Sequence, residues 1–422
     1  MSYFVTDNVP GRTIMKKIIS LLLATAMTIS LCACGGAAAP AAGDAGADAG
    51  SDKLNIKAGF ICLHDENSTY DLNFITGAKA ACEKLGVEAV IKTNIPEGQE
   101  CYDAACELVD QGCGYVFADS FGHEDYMIEA AKEYPDVQFC HATGTKAHTE
   151  NLPNFHNAFA SIYEGRYLSG IAAGMKLNEM IESGKITADQ AKIGYIGAFT
   201  YAEVISGYTS YFLGARSVCP SATMEVTFTG SWYDETAEKE GATKLISDGC
   251  VFISQHADSM GSPTACENAG VPNSSYNGPT DNACPETYIS YCKINWEPYF
   301  EDSITKAAKG EAIPADYTGT LETGSVVIDH FGKNAAPGTE EAVEAAKADI
   351  IAGKIHVFDT KTFTVEGKEL TSYMADVDTD PNYEGDHEVI KDGYFNESGD
   401  GLRSAPYFDL QIDGITLLDT AF

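Results

Sequence analysis

From Lys57 onward, short apolar runs alternate with stretches of helical periodicity. Lys57–Leu63, Glu88–Thr93, Tyr115–Ser120, Val137–Thr143 and Asn154–Ala160 read as strands. Between them, Leu72–Gly86, Glu100–Gln111 and Glu124–Tyr134 repeat apolar residues at helical spacing, and Gly86, Gly112 and Pro135 supply stops. A long helix, Ile162 to about Glu182, interrupts the series. A second alternation then begins, with strands Lys192–Ala198, Met224–Thr229 and Cys250–His256 and a weak one at Ser275–Tyr276. Helices Glu203–Val218, Glu235–Ser247 and Ser262–Ala269 separate them. Thr287–Ile294 and the helix Trp296–Lys309 are expected to return to the first set. One more helix, Glu340–Ala352, and a hairpin pattern over Lys354–Val365 follow; the remaining tail has weak periodicity and receives no element.

Repeated βα units of this length predict parallel sheets covered by helices on both faces, and two consecutive sets predict two doubly wound α/β lobes. Lobe 1 is expected over 54–158 and 286–325, and lobe 2 over 159–285 and 326–422. Hinges fall near Ala158–Ile162, Ile294–Trp296 and Gly324–Val327. Ligands of such sheets bind beyond the carboxyl ends of the strands, so facing lobes enclose a cleft. The loops after the strands, from His64–Tyr70 through Phe199–Glu203 to Asn295–Trp296, are rich in aromatic and hydrogen-bonding side chains. That composition suits a planar polar ligand, stacked on its faces and read at its edges.

The N-terminus changes the picture from a soluble protein to an exported one. Lys16 and Lys17 precede an apolar run, Ile18 to Leu31, that is short for a membrane span. The run ends in Leu31-Cys32-Ala33-Cys34, which resembles a bacterial lipobox and implies a lipid on Cys34 after removal of 1–33. The alternative is an ordinary secretory signal cleaved near Ala33 or Ala39. Because Met15 directly precedes the lysines, residues 1–14 read as upstream of the natural start. Residues 34–53, mostly Gly, Ala, Asp, Ser and Pro after the cysteine, cannot offset their ordering entropy and read as a flexible tether. The expected localisation is the extracytoplasmic face of the cell membrane, with contact through the lipid anchor only.

Charge and cysteines narrow the function further. With 27 Lys+Arg against 62 Asp+Glu, the net charge is −35, which opposes nucleic acid and anionic lipid as partners. Thirteen cysteines include Cys32 and Cys34, leaving an odd eleven without CxxC or zinc spacing. Several of these sit inside apolar runs and read as small buried hydrophobes rather than a disulfide framework.

Several phrases resemble the basic membrane lipoprotein (Bmp) family, whose members include purine and purine-nucleoside receptors. They are IPEGQE at 95–100, DSFGHEDYM at 119–127, YPDVQFCHATG at 134–144 and YEGRYLSGIAAG at 163–174. The run IGAFTYAEVISGYTSYFLGARSV from Ile196, TGSWYDETAEKEGATKLISDG at 229–249, ISQHADS at 253–259 and INWEPYF at 294–300 continue them in order. The resemblance implies a type I periplasmic-binding-protein fold, a purine base or nucleoside in the interlobe cleft, and ABC permease subunits as partners. Two loops depart from the family. His64–Tyr70 lacks the usual acidic, Asn-containing motif and places Tyr70 where one branch has Trp, and in Asn277–Asp281 the acid is displaced. Both weaken the implication of ribose recognition and admit a free base.

Tyr70, Phe121, Phe199 and Trp232 are the candidate stacking rings, and Trp296 is either a hinge-side wall or a core residue. Asp258 and Asn277 are candidates for edge hydrogen bonds, with Gln255, His256 and Glu203 as further contacts. Asp258 has an alternative role as the cap of the following helix, His256 as a structural histidine, and Glu203 as a dipole partner at a helix start. The short His–carboxylate pairs, His64/Asp65, His123/Glu124 and His256/Asp258, lack HExxH spacing, and no GxSxG or phosphate loop occurs. The chain is therefore expected to be a receptor rather than an enzyme, with no cofactor or metal. A ligand-sensing lipoprotein and a simple-sugar receptor on the same fold are the alternatives.

Overall fold

The computed structural model describes residues 54–377, 386–398 and 402–421. The signal, Cys34 and the tether lie outside the described residues.

The first βα series forms β1 (Lys57–Ile61), α1 (Thr69–Leu85), β2 (Glu88–Lys92), α2 (Gln99–Asp110) and β3 (Tyr115–Ala118). It continues with α3 (Glu124–Glu133), β4 (Gln138–Ala142), α4 (Ala147–Glu150) and β5 (Phe155–Ala160). Helix α1 starts where the Ser68 side chain accepts from the Asp71 N–H, and stops at Gly86 with φ 66°. The chain then crosses through Ser161 into α5 (Ile162–Glu182) and a second series. This comprises β6 (Lys192–Gly197), α6 (Ala202–Val218), β7 (Thr223–Phe228), α7 (Glu235–Ser247), β8 (Phe252–Gln255), α8 (Gly261–Ala269), β9 (Asn273–Tyr276) and β10 (Tyr288–Ile294). It returns as α9 (Glu297–Lys309) and β11 (Asp316–Gly319), then crosses again to β12 (Val326–Val327) and α10 (Thr339–Ile351). The tail adds β13 (Met374–Ala375), β14 (His387–Glu388), β15 (Ile390–Lys391), β16 (Tyr394–Phe395) and β17 (Ile415–Leu417).

Lobe 1 is a six-stranded sheet ordered β11-β5-β4-β3-β1-β2, and lobe 2 a seven-stranded sheet ordered β12-β10-β9-β8-β6-β7-β17. The strands of the first sheet pair in parallel throughout; in the second, only β12 is antiparallel. These are the two α/β lobes expected from the alternation, arranged in the periplasmic-binding-protein-like fold that the family resemblance implies.

The return to lobe 1 comes one strand later than expected. β10 pairs in parallel with β9, so Tyr288–Ile294 belongs to lobe 2 and only α9 and β11 rejoin lobe 1. A run buried on both faces fits the interior of either sheet, and nothing in Tyr288–Ile294 itself distinguishes them. The hairpin expected over Lys354–Val365 does not form; turns occupy the stretch, with a bridge from Val365 to Lys368. The unassigned tail supplies β17, a parallel edge strand on β7.

Helices α5 and α6 pack with unusually close backbones. A Cβ on Gly170 would lie 2.0 Å from the Tyr211 carbonyl oxygen, and one on Gly214 would lie 2.0 Å from that of Tyr167. Glycine at both places lets the helices meet and fixes where α6 presents its N-terminal residues to the cleft. In lobe 1, α9 closes over α1 through Trp296, whose ring stacks on Phe74 at 4.3 Å between centroids. Among the described residues the eleven remaining cysteines are free thiols, all buried except the half-buried Cys106.

Candidate functional site

A cavity of about 280 Å³ lies between the carboxyl ends of the two sheets, with part of the tail as a third wall. Lobe 1 contributes Tyr70, Asp71 and Phe121; lobe 2 contributes Tyr201, Glu203, Trp232, His256, Asp258 and Tyr276. Six of the ten candidate ligand residues read from the sequence therefore line it: Tyr70, Phe121, Glu203, Trp232, His256 and Asp258.

The lobes touch along its margin. Phe121 stacks on Tyr201 at 5.1 Å, and Tyr201 stacks in turn on Phe199 at 5.2 Å. Phe199 meets Trp232 edge-on at 5.1 Å. Phe199 thus braces an aromatic row instead of lining the cavity, and Tyr201 takes the position expected of it. Across the opening, His64 lies against Tyr233 with ring centroids 5.6 Å apart. Tyr70 is fixed by its hydroxyl, which donates to the Asp119 carbonyl at 2.7 Å.

His256 is held by its neighbours. Its Nε2 lies 2.8 Å from both oxygens of Glu203. Its Nδ1 lies 3.1 Å from the Tyr195 hydroxyl and 3.4 Å from Nη2 of Arg166. Arginine can only donate, so Nδ1 accepts and the proton sits on Nε2, facing Glu203. Burial, ahead of the opposing pull of Glu203, holds the imidazole below its ordinary pKa, so it is neutral. Arg166 also donates to the Gln255 carbonyl at 2.9 Å and lies 4.4 Å from the centre of the Tyr276 ring. The Arg166 charge thereby reaches Glu203 through a neutral imidazole, and the Tyr276 hydroxyl donates to the same carboxylate at 3.4 Å.

Two carboxyl groups on opposite walls stand in different states. Burial pushes Asp71 up, but hydrogen bonds outweigh it and its pKa falls below the usual range. Its oxygens accept from the His64 N–H at 2.7 Å and the Ser68 hydroxyl at 2.6 Å. Asp258 is pushed well above the usual range by burial, with the charges of Asp71, Glu238 and Glu203 adding to it. Asp71 is therefore biased toward its anionic, accepting form and Asp258 toward its protonated form, which can donate. Asp258 does not cap α8; the Ser259 hydroxyl takes the Gly261 N–H at 3.1 Å.

The other candidates serve the frame. The Gln255 side chain donates to the carbonyls of Ala257 and Ser259, at 2.7 and 3.2 Å, and holds the loop that carries Asp258. Asn277 occupies left-handed backbone at φ 64° and is buried beside Asp258 without lining the cavity. Trp296 is a core residue of lobe 1 and forms no cavity wall. Among the described residues, Cys62, Asp71 and Asp119 are the group whose ligating atoms come within 4.8 Å of one another. Burial first, and the neighbouring Asp71 second, push Asp119 up.

The third wall is not marked by any periodic element in the sequence. Asp376, Arg403, Pro406, Tyr407 and Asp409 line the cavity from the tail. A signal was present: Arg403 is the one arginine after residue 361, in a segment dominated by acidic and aromatic residues.

Two facing α/β lobes around a hydrogen-bonding aromatic cavity define a solute-binding protein. The chain belongs to the Bmp family, described as ABC transporter substrate-binding protein PnrA-like, which matches residues 63–361. It is thus a substrate-binding component of ABC transport, a family of receptors and not of catalysts. The chain is 31% identical over 268 residues to a putative ABC transporter glucose-binding protein of Haloferax volcanii, spanning 62% of this chain and 65% of that one. It is 28% identical over 319 residues to a purine-binding protein of Brucella abortus, spanning 74% of this chain and 86% of that one. An ABC transporter solute-binding protein from Aeropyrum pernix superposes with a TM-score of 0.61 at 16% identity, over 72% of this chain and 93% of that one. No helix among the described residues is long and apolar enough to cross a membrane.

Proposed function

We propose that the protein captures an uncharged purine, as base or nucleoside, in the interlobe cavity and presents it to an ABC permease on the extracytoplasmic face of the membrane. A lipid on Cys34 would hold it there, with 34–53 as the tether. The carrying observation is an aromatic-walled cavity with two buried carboxyl groups on opposite walls, Asp71 held below the usual carboxylate range by hydrogen bonds that outweigh its burial and Asp258 pushed above it by burial. Stacking uses the heterocycle face, while an acceptor and a donor on opposite walls match the mixed donor–acceptor edge of a purine. The acidic lining disfavours phosphorylated ligands by repulsion. The purine-binding Brucella relative supports the same reading.

Calorimetry with adenine, guanine, hypoxanthine, adenosine and D-glucose tests it. At least one purine should bind tightly. The glucose-binding Haloferax relative favours a second reading, a sugar receptor on the same fold. Tight binding of glucose with no purine bound would establish that second reading and overturn the first. For the anchor, Cys34→Ser should release the protein from cells into the medium; a variant still bound to membrane and still labelled by radioactive lipid excludes it.

A further inference from the structure

The family match ends at residue 361, yet the chain after it builds one wall of the cavity. That wall is tied to both lobes. Glu397 is buried and accepts the N–H groups of Tyr407 and Phe408 at 2.7 and 2.8 Å. The Phe408 ring stacks on Phe358 at 4.3 Å. The Ser404 N–H donates to Asp316 of β11 at 2.8 Å, in lobe 1. A few residues later Gln411 accepts from the Tyr208 hydroxyl at 3.2 Å, and β17 joins the sheet of lobe 2. The tail therefore straps across both lobes at the cavity.

Its chemistry differs from the rest of the lining. The two lobes present rings and the acids Asp71, Glu203 and Asp258, whereas the tail, beside Tyr407, adds the Arg403 guanidinium flanked by Asp376 and Asp409. Arg403 is buried; it donates through Nε to the Ala405 carbonyl at 3.2 Å and through Nη2 to the Pro406 carbonyl at 2.5 Å. A guanidinium carries five N–H donors, so these two bonds orient it and leave donors over. Hydroxyl groups both donate and accept, and so satisfy a guanidinium and carboxylates together. A bare heterocycle that fills only the aromatic part of the cavity leaves the spare Arg403 donors without a ligand partner, which costs affinity.

We propose that the tail residues Asp376, Arg403 and Asp409 form the ligand-selecting wall of this receptor, with Arg403 reading the hydroxylated part of a glycosylated heterocycle. The inference rests on the purine reading and narrows it from base or nucleoside to nucleoside. Arg403 is a specificity-determining residue that lies outside the family match.

The test compares adenosine with adenine, which differ by the ribose, on the full chain by calorimetry. Arg403→Lys keeps the charge and removes the planar fork. It should weaken adenosine by about tenfold or more, ~1.4 kcal/mol, and leave adenine unchanged. Asp409→Asn, at an exposed position, should act in the same direction and decides the matter if Arg403→Lys fails to fold, as judged by thermal melting. Equal loss for both ligands, or no change for either, overturns the wall. A wild-type protein that binds neither purine defeats the purine reading instead. The wall is then judged on D-glucose with the same two variants, and behaviour matching the wild type, including shared absence of binding, overturns it.

Discussion

The backbone N–H of Thr69, in the first turn of α1, donates to the carbonyl of Asp258, in the loop after β8, at 3.1 Å. The Thr69 hydroxyl reaches the same oxygen at 3.3 Å. One lobe thus grips the loop of the other at the residue whose side chain faces the cavity. With the Phe121–Tyr201 stack, this contact defines a joined state of the two lobes, connected by crossings at Ser161, Asn295–Trp296 and between β11 and β12.

Contacts of this kind bring a ligand out of water and give a permease a distinct surface to read. Small-angle scattering should therefore show a smaller radius of gyration with saturating adenosine than without it. Identical profiles in the two conditions would argue against ligand-driven closure.

Trp232 stands at the end of the aromatic row and lines the cavity. Stacking is indifferent to the pattern at the ligand edge. Trp232→Ala should weaken every purine that binds by a similar factor, about 5- to 150-fold, from the roughly 1–3 kcal/mol of a base-to-aromatic stack. Loss confined to one purine, measured calorimetrically, would mean that Trp232 reads an edge instead.

The two carboxyls should respond differently to amide replacement. A protonated Asp258 and an asparagine are both neutral and both offer a donor and an acceptor, so Asp258→Asn should change purine affinity by no more than about threefold near neutral pH. Asp71→Asn removes an ionised acceptor, whose hydrogen bonds are worth roughly 1.5–3 kcal/mol, and should cost about tenfold or more. Melting temperatures recorded alongside separate this from loss of the cap on α1. The reverse order of effects would assign the charges the other way.

Glu238 gives the stability a pH dependence. Its carboxylate accepts the Ser259 N–H at 3.1 and 3.2 Å, and burial, ahead of these bonds, raises its pKa to about 7. The folded state holds this proton more tightly than the unfolded chain, so the stabilisation is complete below the unfolded pKa of about 4.3. It is lost as pH rises through about 7. Glu238→Gln, which keeps an acceptor for Ser259, should gain stability relative to the wild type on going from about pH 5 to about pH 8. Urea denaturation at the two values checks the sign, and a constant difference would place the titration elsewhere.

Much of this organisation can be read from the chain itself. The βα alternation is local, carried by apolar runs and glycine stops such as Gly86, and the strand-end loops follow from it. Tyr70, Phe121, Trp232 and Asp258 were legible because each follows a strand. Trp296 follows a strand as well, yet α9 turns it inward onto Phe74, a matter of tertiary packing that position alone does not reveal. β10 was ambiguous because burial on both faces erases the alternation that would name its sheet. The tail was opaque for a different reason. Its two- and three-residue strands carry no periodicity, and Arg403 reaches the cavity only through long-range bonds such as Ser404 to Asp316.

The buried thiols give the fold an internal clock. Burial pushes Cys140 up to about 12 and Cys250 to about 12, so the nucleophilic thiolate is scarce while the lobes remain folded. Cys106 alone is half-buried and is the natural first site of alkylation. The other ten become reactive only as the segments around them open, so their staggered labelling times would map which parts of each lobe breathe and which unfold only with the whole. In an air-exposed unfolded chain the eleven thiols of the described residues, which have no native pairing to guide them, would cross-link at random, and recovery after denaturation should depend on keeping a reductant present.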